Sequence, residues 1–328
     1  MNITTRRAAP RRAVLAGFGT ILAAPGLATQ SWQPTRPIRI IVTYPPGGVT
    51  DIVARIMSEP LTRELGQPVL IENRAGAGGN IGTQAAAAAE PDGHTLLQGT
   101  TALFGVNPVV YANSGVDAVR DFTSLGVFGE VANILSVIPG RVQAATLAGF
   151  IEEAKRRALI FGSVGNGSSS HLSAALFLRM TGIEATHVPY RGSSPLVAAM
   201  LGREVDFGFD TTATSTAHIR AGSLRALAVT TTRRASALPD VPTMQEAGLA
   251  DFDLSVWFNL AVPRRTPAPI VARLREAVER SRTPQTAERL RTAFVDSLAV
   301  PRDGEEAWIT ASAMRWQAIA REARLAVD

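Results

Sequence analysis

The sequence predicts a two-lobed α/β protein with mainly parallel sheets, and three observations predict it. At 328 residues the chain exceeds what one hydrophobic core usually serves, so two domains are expected. Short β-branched runs alternate with segments of helical period, which is the pattern of βαβ units. After Pro139 that pattern starts again, as a second lobe would require.

The elements follow in order. Residues 38–44 read as a buried strand. Residues 52–65 read as a helix, with Ile52, Ile56, Met57 and Leu61 on one face and Gly66 placed as a stop. Strands at 69–72 and 95–98 flank a glycine-rich loop and an alanine-rich helix over 83–89. A strand over 134–138, ended by Pro139, is expected to cross into the second lobe. There Thr146 caps a helix over 147–158. Strands at 159–162, 186–188, 205–209 and 224–230 alternate with helices over 171–181 and 195–201. A second crossing at 254–262 returns the chain, and helices over 267–282, 285–293 and 305–323 close it. The expected lobes are residues 31–136 with 258–328, and residues 137–257.

Composition excludes several functions. With 46% hydrophobic and 19% charged residues the chain is globular rather than disordered. The net charge of +5 owes four charges to Arg6, Arg7, Arg11 and Arg12, and residues 1–30 hold no acid, so the remaining body stands at +1. No basic cluster of the kind nucleic acid requires is left. There is no cysteine, hence no disulfide, thiolate nucleophile or lipid-anchoring cysteine. The N-terminus reads as a secretory signal: Arg11-Arg12, an apolar run over 13–24, then Pro25-Gly26-Leu27-Ala28. The arginine pair and the weakly hydrophobic run suit the twin-arginine route, with cleavage near Ala28. The expected location is periplasmic.

Three loops share one design: an apolar strand, a Gly- or Ser-rich turn, then a helix N-terminus. In Tyr44-Pro45-Pro46-Gly47-Gly48-Val49-Thr50-Asp51 the prolines stiffen the strand exit and the glycines let backbone N–H groups approach a ligand. The helix that follows favours an anion, and Thr50 or Asp51 is expected to cap it. The second loop, Gly76-Ala77-Gly78-Gly79-Asn80-Ile81-Gly82, departs from Gly-x-Gly-x-x-Gly at Ile81 and follows the second strand rather than the first, so it is no dinucleotide fingerprint. It is either a backbone anion cradle or a tight turn. A Walker loop is excluded, since Lys155 is the only lysine.

The third loop, Gly162-Ser163-Val164-Gly165-Asn166-Gly167-Ser168-Ser169-Ser170-His171, lacks the last glycine of a nucleophile elbow. Ser169 and His171 are two apart and face different ways on a helix. The segment suits an oxyanion. The four histidines, His94, His171, His187 and His218, have no metal-ligand spacing, so neither metal nor cofactor is expected. Of these His171 is the ligand candidate, and the others read as hydrogen-bonded structural residues. Tyr190 and Arg191 sit at a further strand-to-helix junction, where Arg191 either pairs with a carboxylate or makes a surface salt bridge. Asp210 ends a fourth strand and would repel an anion unless it accepts from an amine, a water or a loop N–H.

Taken together and in this order, these segments resemble the Bug family of periplasmic solute-binding proteins, which serve tripartite tricarboxylate transporters. The landmarks are Pro37-Ile38-Arg39-Ile40-Ile41-Val42-Thr43-Tyr44-Pro45-Pro46-Gly47-Gly48, Glu72-Asn73-Arg74-Ala75-Gly76-Ala77-Gly78-Gly79-Asn80-Ile81-Gly82, Pro91-Asp92-Gly93, Gly165-Asn166-Gly167-Ser168-Ser169-Ser170-His171-Leu172, Val188-Pro189-Tyr190-Arg191-Gly192, Leu224-Arg225-Ala226-Leu227-Ala228-Val229-Thr230 and Leu238-Pro239-Asp240-Val241-Pro242-Thr243. The resemblance spans essentially the whole chain after the signal. It implies a type II periplasmic-binding-protein fold with a hinged cleft and no enzymatic activity. It also implies a small carboxylate held by Pro46, Gly47, Gly48 and Asp51 from one lobe. Ser163, Gly165, Asn166, Ser168 and His171 would face it from the other, with Tyr190, Arg191 and Asp210 nearby. Membrane transporter subunits are the implied partner, met by a monomer. Two departures stand out: Phe258-Asn259 follows the tryptophan where the family often has a glycine, and Thr211, Thr212, Thr214 and Thr216 replace asparagine and proline. Two rivals remain at this point, a sensor partner that docks on a membrane kinase and a secreted hydrolase using Ser169 and His171.

Overall fold

The computed structural model describes residues 1–3, 32–111, 114–298, 300 and 302–322. Residues 4–31, which hold most of the expected signal, lie outside the described residues. The strands are β1 Ile38–Val42, β2 Val69–Asn73, β3 Thr95–Thr100, β4 Phe122–Val137, β5 Leu159–Ser163, β6 Ala185–Pro189, β7 Phe207–Thr211, β8 Arg225–Val229 and β9 Ser255–Pro263. The helices are α1 Val49–Leu65, α2 Asn80–Ala87, α3 Asn107–Val110, α4 Ala118–Asp121, α5 Leu147–Ala154, α6 Ser169–Thr181, α7 Ser193–Leu201, α8 Thr212–Arg220, α9 Ala268–Arg280, α10 Pro284–Thr292 and α11 Glu305–Glu322.

Two sheets share β4. The first runs β2-β1-β3-β9-β4, with β1 parallel to both neighbours and β9 antiparallel. The second joins β4 to β7 and β8 antiparallel, and continues through β5 and β6 in parallel. The change of sheet falls inside β4: Ala132 pairs with Ser255 of β9, and Asn133 pairs with Thr211 of β7. β1 shows why its run reads as nearly continuous apolar sequence, since Ile38, Ile40, Ile41 and Val42 are all buried, as both faces of a covered parallel sheet require.

β4 is much longer than the strand expected over 134–138. Its register slips between Ser124 and Gly126 and again between Val127 and Gly129. Each bulge breaks the period-2 alternation that would have marked the strand. Helix α8 was also not expected, because threonine is a poor helix former. Its turns are held locally: the Thr216 hydroxyl donates to the Thr212 carbonyl at 2.7 Å, and Ser215 donates to Asp210 at 2.9 Å. The other boundaries differ by a few residues. α1 begins at Val49 rather than residue 52, and α5 ends at Ala154 rather than residue 158.

The core of the first sheet gathers Ile38, Ile40, Val53, Met57, Leu96, Leu260 and Leu274. That of the second is aromatic, with Phe150 and Phe161 packed on Phe207 at ring separations of 5.2 and 5.6 Å. Fully burying one such ring contributes about 1.5–3 kcal/mol. Val106 and Val110 from the segment after β3, and Trp316 and Ala320 from α11, join this second cluster. These pieces place the loop after β3 against the second sheet.

Candidate functional site

Ligands of open α/β sheets bind outside the carboxyl ends of the strands, and the predicted loops leave the ends of β1, β2, β5, β6 and β7. In the first loop the N-cap of α1 is Gly48, with no side-chain cap. The expected cap by Thr50 or Asp51 is therefore corrected: both lie inside the first turn. The first intrahelical bond runs from Ile52 N–H to the Gly48 carbonyl. The N–H groups of Val49, Thr50 and Asp51 thus have no acceptor within the helix. Pro46, Gly47 and Gly48 are exposed beside them.

Asp51 is buried, and its carboxylate faces its own loop. It accepts Gly47 N–H at 3.0 Å, the Arg55 guanidinium at 2.9 and 3.0 Å, and the Asn73 amide at 3.0 Å. Burial alone would raise its pKa, but these donors together hold it below the usual carboxylate range. Asn73 also donates to the Tyr44 carbonyl at 3.1 Å, so the strand exit and the helix start are tied together. The Tyr44 phenol is pushed up to about 12 by burial, opposed by Thr100 beside it and reinforced by Tyr111. It stays a neutral donor.

The second loop turns through a short 3-10 segment, Ala77–Gly79, into α2. Asn80 is buried and its side-chain oxygen accepts from the Asn107 amide at 2.9 Å, which also reaches the Gly78 carbonyl at 3.0 Å. Gly79 caps α2 at φ 100° and donates its N–H to the Gly76 carbonyl at 2.9 Å. Of the two sequence readings, the tight turn describes this loop's internal bonding.

The third loop is a nest of hydroxyls and N–H groups. Ser168 caps α6 by accepting His171 N–H at 3.2 Å, and its hydroxyl donates to the Gly165 carbonyl at 2.7 Å. The Ser170 hydroxyl accepts Val164 N–H at 2.9 Å. Gly167 N–H donates to Nδ1 of His171 at 3.2 Å, so a neutral His171 carries its proton on Nε2. His171 stacks on His187 with centroids 4.0 Å apart, and His187 stacks in turn on Phe161 at 4.7 Å. Burial, with the neighbouring imidazole second, lowers His171 to about 3, and burial lowers His187 to about 4. Both rings are neutral near pH 7. The serine facing a histidine is Ser163, 2.7 Å from His187 Nε2, rather than Ser169 facing His171. Ser163 is fully buried and its partner imidazole packs on Phe161 and His171, so this pair ties β5 to β6. Ser169 is buried at the start of α6, and Asn166 lies within the loop.

At the end of β6, Arg191 is exposed and makes no ion pair among the described residues. The Tyr190 hydroxyl is engaged with Glu204 at 3.3 Å. Asp210 is sealed from solvent at 1% exposure, accepts from Ser215, and leaves its second oxygen unpaired. Burial raises its pKa, opposed by the polar groups of Ser193, Thr211 and Ser215 beside it.

Tyr111, just past α3, carries no sequence signal of its own, yet it brings two of the loops together. A Cβ at Gly78 would fall 2.7 Å from the Tyr111 ring carbon Cε2. A Cβ at Gly167 would fall 3.6 Å from that same carbon and 3.0 Å from Val110. Both glycines have positive φ, 64° and 71°. A loop of the first sheet and a loop of the second therefore abut one ring edge. Two surface cavities, of about 690 and 580 Å³, are lined by other residues and lie outside these loops.

Comparison with known proteins decides the family. The tripartite tricarboxylate transporter family receptor pattern matches residues 53–325. The chain belongs to that receptor family. It is 33% identical over 316 residues to the BugT protein of Bordetella pertussis, covering 94% of this chain and 97% of that one. A solved protein of R. palustris with adipate is 34% identical, with a TM-score of 0.82 over 89% of this chain and 99% of its own. MatC of Rhodopseudomonas palustris, solved with bound malate, is 30% identical, with a TM-score of 0.77 over 88% and 99%. The receptor thus has the two-lobed periplasmic-binding-protein fold, and the hydrolase expectation falls with it.

Proposed function

We propose that this receptor captures a small carboxylate in a cleft between two lobes and delivers it to the membrane subunits of a tripartite tricarboxylate-type transporter. The lobes are residues 31–136 with 258–328, and residues 137–257, joined where β4 and β9 cross. The observation that carries the reading is the meeting of Gly78 and Gly167, from loops of different sheets, at Tyr111. Adipate and malate, bound by two related proteins, are both carboxylates and support the ligand class.

In this reading the uncapped start of α1 offers N–H groups of Val49 and Thr50 from one side, beside Pro46, Gly47 and Gly48. Gly165, Asn166, Ser168 and the Nε2–H of His171 approach from the other, with Arg191 at the rim. Asp51 orients the first loop through Gly47, while Asn80 and Gly79 shape the second. Ser163 acts through His187, and Ser169, Tyr190 and Asp210 support the walls. Closure is selected because only the closed state satisfies the carboxylate oxygens from both lobes. The protein is exported through its first 28 residues by the twin-arginine route and acts as a monomer.

The test is a thermal-shift screen of the chain from Thr29 against a carboxylate panel. A ligand at a hundred times its Kd adds roughly 2.7 kcal/mol of stability and moves the midpoint by several degrees. Silence across mono-, di- and tricarboxylates, with no small acid released from denatured protein by mass spectrometry, would sink the reading.

A further inference from the structure

We propose that Tyr111 is a specificity-determining residue of this cleft, which closes the seam between the two glycine loops and offers its phenol O–H to a second acidic group on the ligand. The proposal rests on the carboxylate-receptor reading and adds a class: dicarboxylates over monocarboxylates.

The ring edge of Tyr111 occupies the space a side chain would need at both Gly78 and Gly167, so the two loops approach each other across it. The ring is held from behind. Tyr111 N–H donates to the Asn107 carbonyl at 2.8 Å, and the Asn107 amide fixes the Gly78 carbonyl and Asn80. Val106 and Val110 anchor the same segment in the aromatic core. A ligand between the loops therefore meets a wall whose position is set by packing.

The Tyr111 hydroxyl lies over Gly78, where a Cβ would fall 2.9 Å from it, and makes no hydrogen bond among the described residues. The hydroxyl of Tyr190, by contrast, is spent on Glu204. Burial raises the Tyr111 phenol, so it stays a protonated donor across the physiological range. In the proposed function the helix-start N–H groups hold one carboxylate. A second one needs donors away from the helix ends, and Tyr111 is placed to supply one.

The experiment is calorimetric titration of the wild type and Tyr111→Phe with succinate, malate, glutarate and adipate, and with the matched monoacids butyrate, pentanoate and hexanoate. The wild type should prefer at least one diacid over its monoacid. Tyr111→Phe should weaken that diacid about tenfold or more, as expected for a lost hydrogen bond to a charged group, and leave the monoacid unchanged. Gly78→Ala, which displaces the ring while keeping its hydroxyl, should lower the same ratio. An unaltered diacid-to-monoacid ratio in both variants overturns the role of Tyr111 while the receptor reading stands. A wild type that binds monoacids as well as diacids overturns the ligand class. A wild type that binds none of these acids overturns the dicarboxylate proposal, and the carboxylate reading itself falls only if tricarboxylates also fail in the thermal-shift screen.

Discussion

Substituting Gly48 by tryptophan tests the first loop where its geometry is most explicit. Gly48 caps α1 at φ −77°, a conformation open to any residue, and a Cβ there would meet only the Pro45 carbonyl at 3.7 Å. The fold should therefore accept the side chain. Replacing a glycine cap by an apolar residue costs about 0.5–1 kcal/mol, largely offset by about 0.4–1 kcal/mol from a stiffer unfolded chain. A body of roughly 300 residues unfolds with an entropy near 0.6 kcal/mol/K, so the midpoint should move by less than about 2 °C. Binding should fare very differently. An indole at the helix start covers the N–H groups of Val49 and Thr50, and each hydrogen bond to a carboxylate contributes about 1.5–3 kcal/mol. Losing two raises Kd by roughly two to four orders of magnitude. Calorimetry with the best ligand from the panel, beside a melting curve, reads both quantities. Unchanged affinity would remove the first loop from the site, and a drop of many degrees would show that the space at Gly48 is not free.

Asp51→Ala strips the partners of Gly47 N–H and the Asn73 amide, and should destabilise by about 2–3 kcal/mol, seen as a midpoint roughly 3–5 °C lower; the half-exposed Arg55 adds little. Gly167→Ala places a Cβ 3.0 Å from Val110 at a left-handed φ, so about 1–2 kcal/mol of stability should be lost. Gly78→Ala should behave likewise, and pairing it with Tyr111→Ala in denaturant melts should recover part of the loss; additive losses would refute the contact. The histidine pair predicts a pH dependence. His171 and His187 titrate at about 3 and about 4, against 6.5 when unfolded. Between pH 6.5 and about 4 the unfolded chain takes up protons that the folded chain refuses, so stability falls as pH falls. The double variant His171→Gln, His187→Gln should flatten that fall in melting curves, and an identical slope would show the imidazoles to be unperturbed.

Most of the architecture was legible because parallel strands covered on both faces leave apolar runs, and because glycine and proline punctuate their ends. The run from Ile38 to Val42 and the stop at Gly66 are of this kind. The first part of β4 was not legible, since two bulges reset its alternation and place Gly126 and Gly129 where a strand pattern would break. Helix α8 was hidden by its threonines, whose hydroxyls bond back into the helix only once Asp210 and the Thr212 carbonyl are in place. In the candidate site the loops were legible as backbone donors. What escaped was contact between residues remote in sequence: His171 on His187, Ser163 on His187, and Tyr111 between Gly78 and Gly167. Spacing along the chain carries no information about these.

The nature of the donors bears on release as much as on capture. The donors of the proposed cleft are N–H dipoles, hydroxyls, two imidazoles that burial keeps neutral and the exposed Arg191, while the Arg55 guanidinium is held by the Asp51 carboxylate. A buried cation would hold an anion in the open lobe and the closed one alike, and a ligand with equal affinity for both shifts nothing. Neutral donors split between two sheets behave otherwise. In the proposed cleft each lobe alone would supply part of the set, so opening would forfeit the other part at once. If that part amounts to two hydrogen bonds, affinity drops by about 3–6 kcal/mol in a single motion. On the proposed function, a membrane partner that stabilised the open form by a comparable amount would suffice to empty the cleft, with no change of charge in the site. In that proposal the neutral stacked histidines would serve the same end, because an imidazolium at His171 would hold the anion after the lobes had parted.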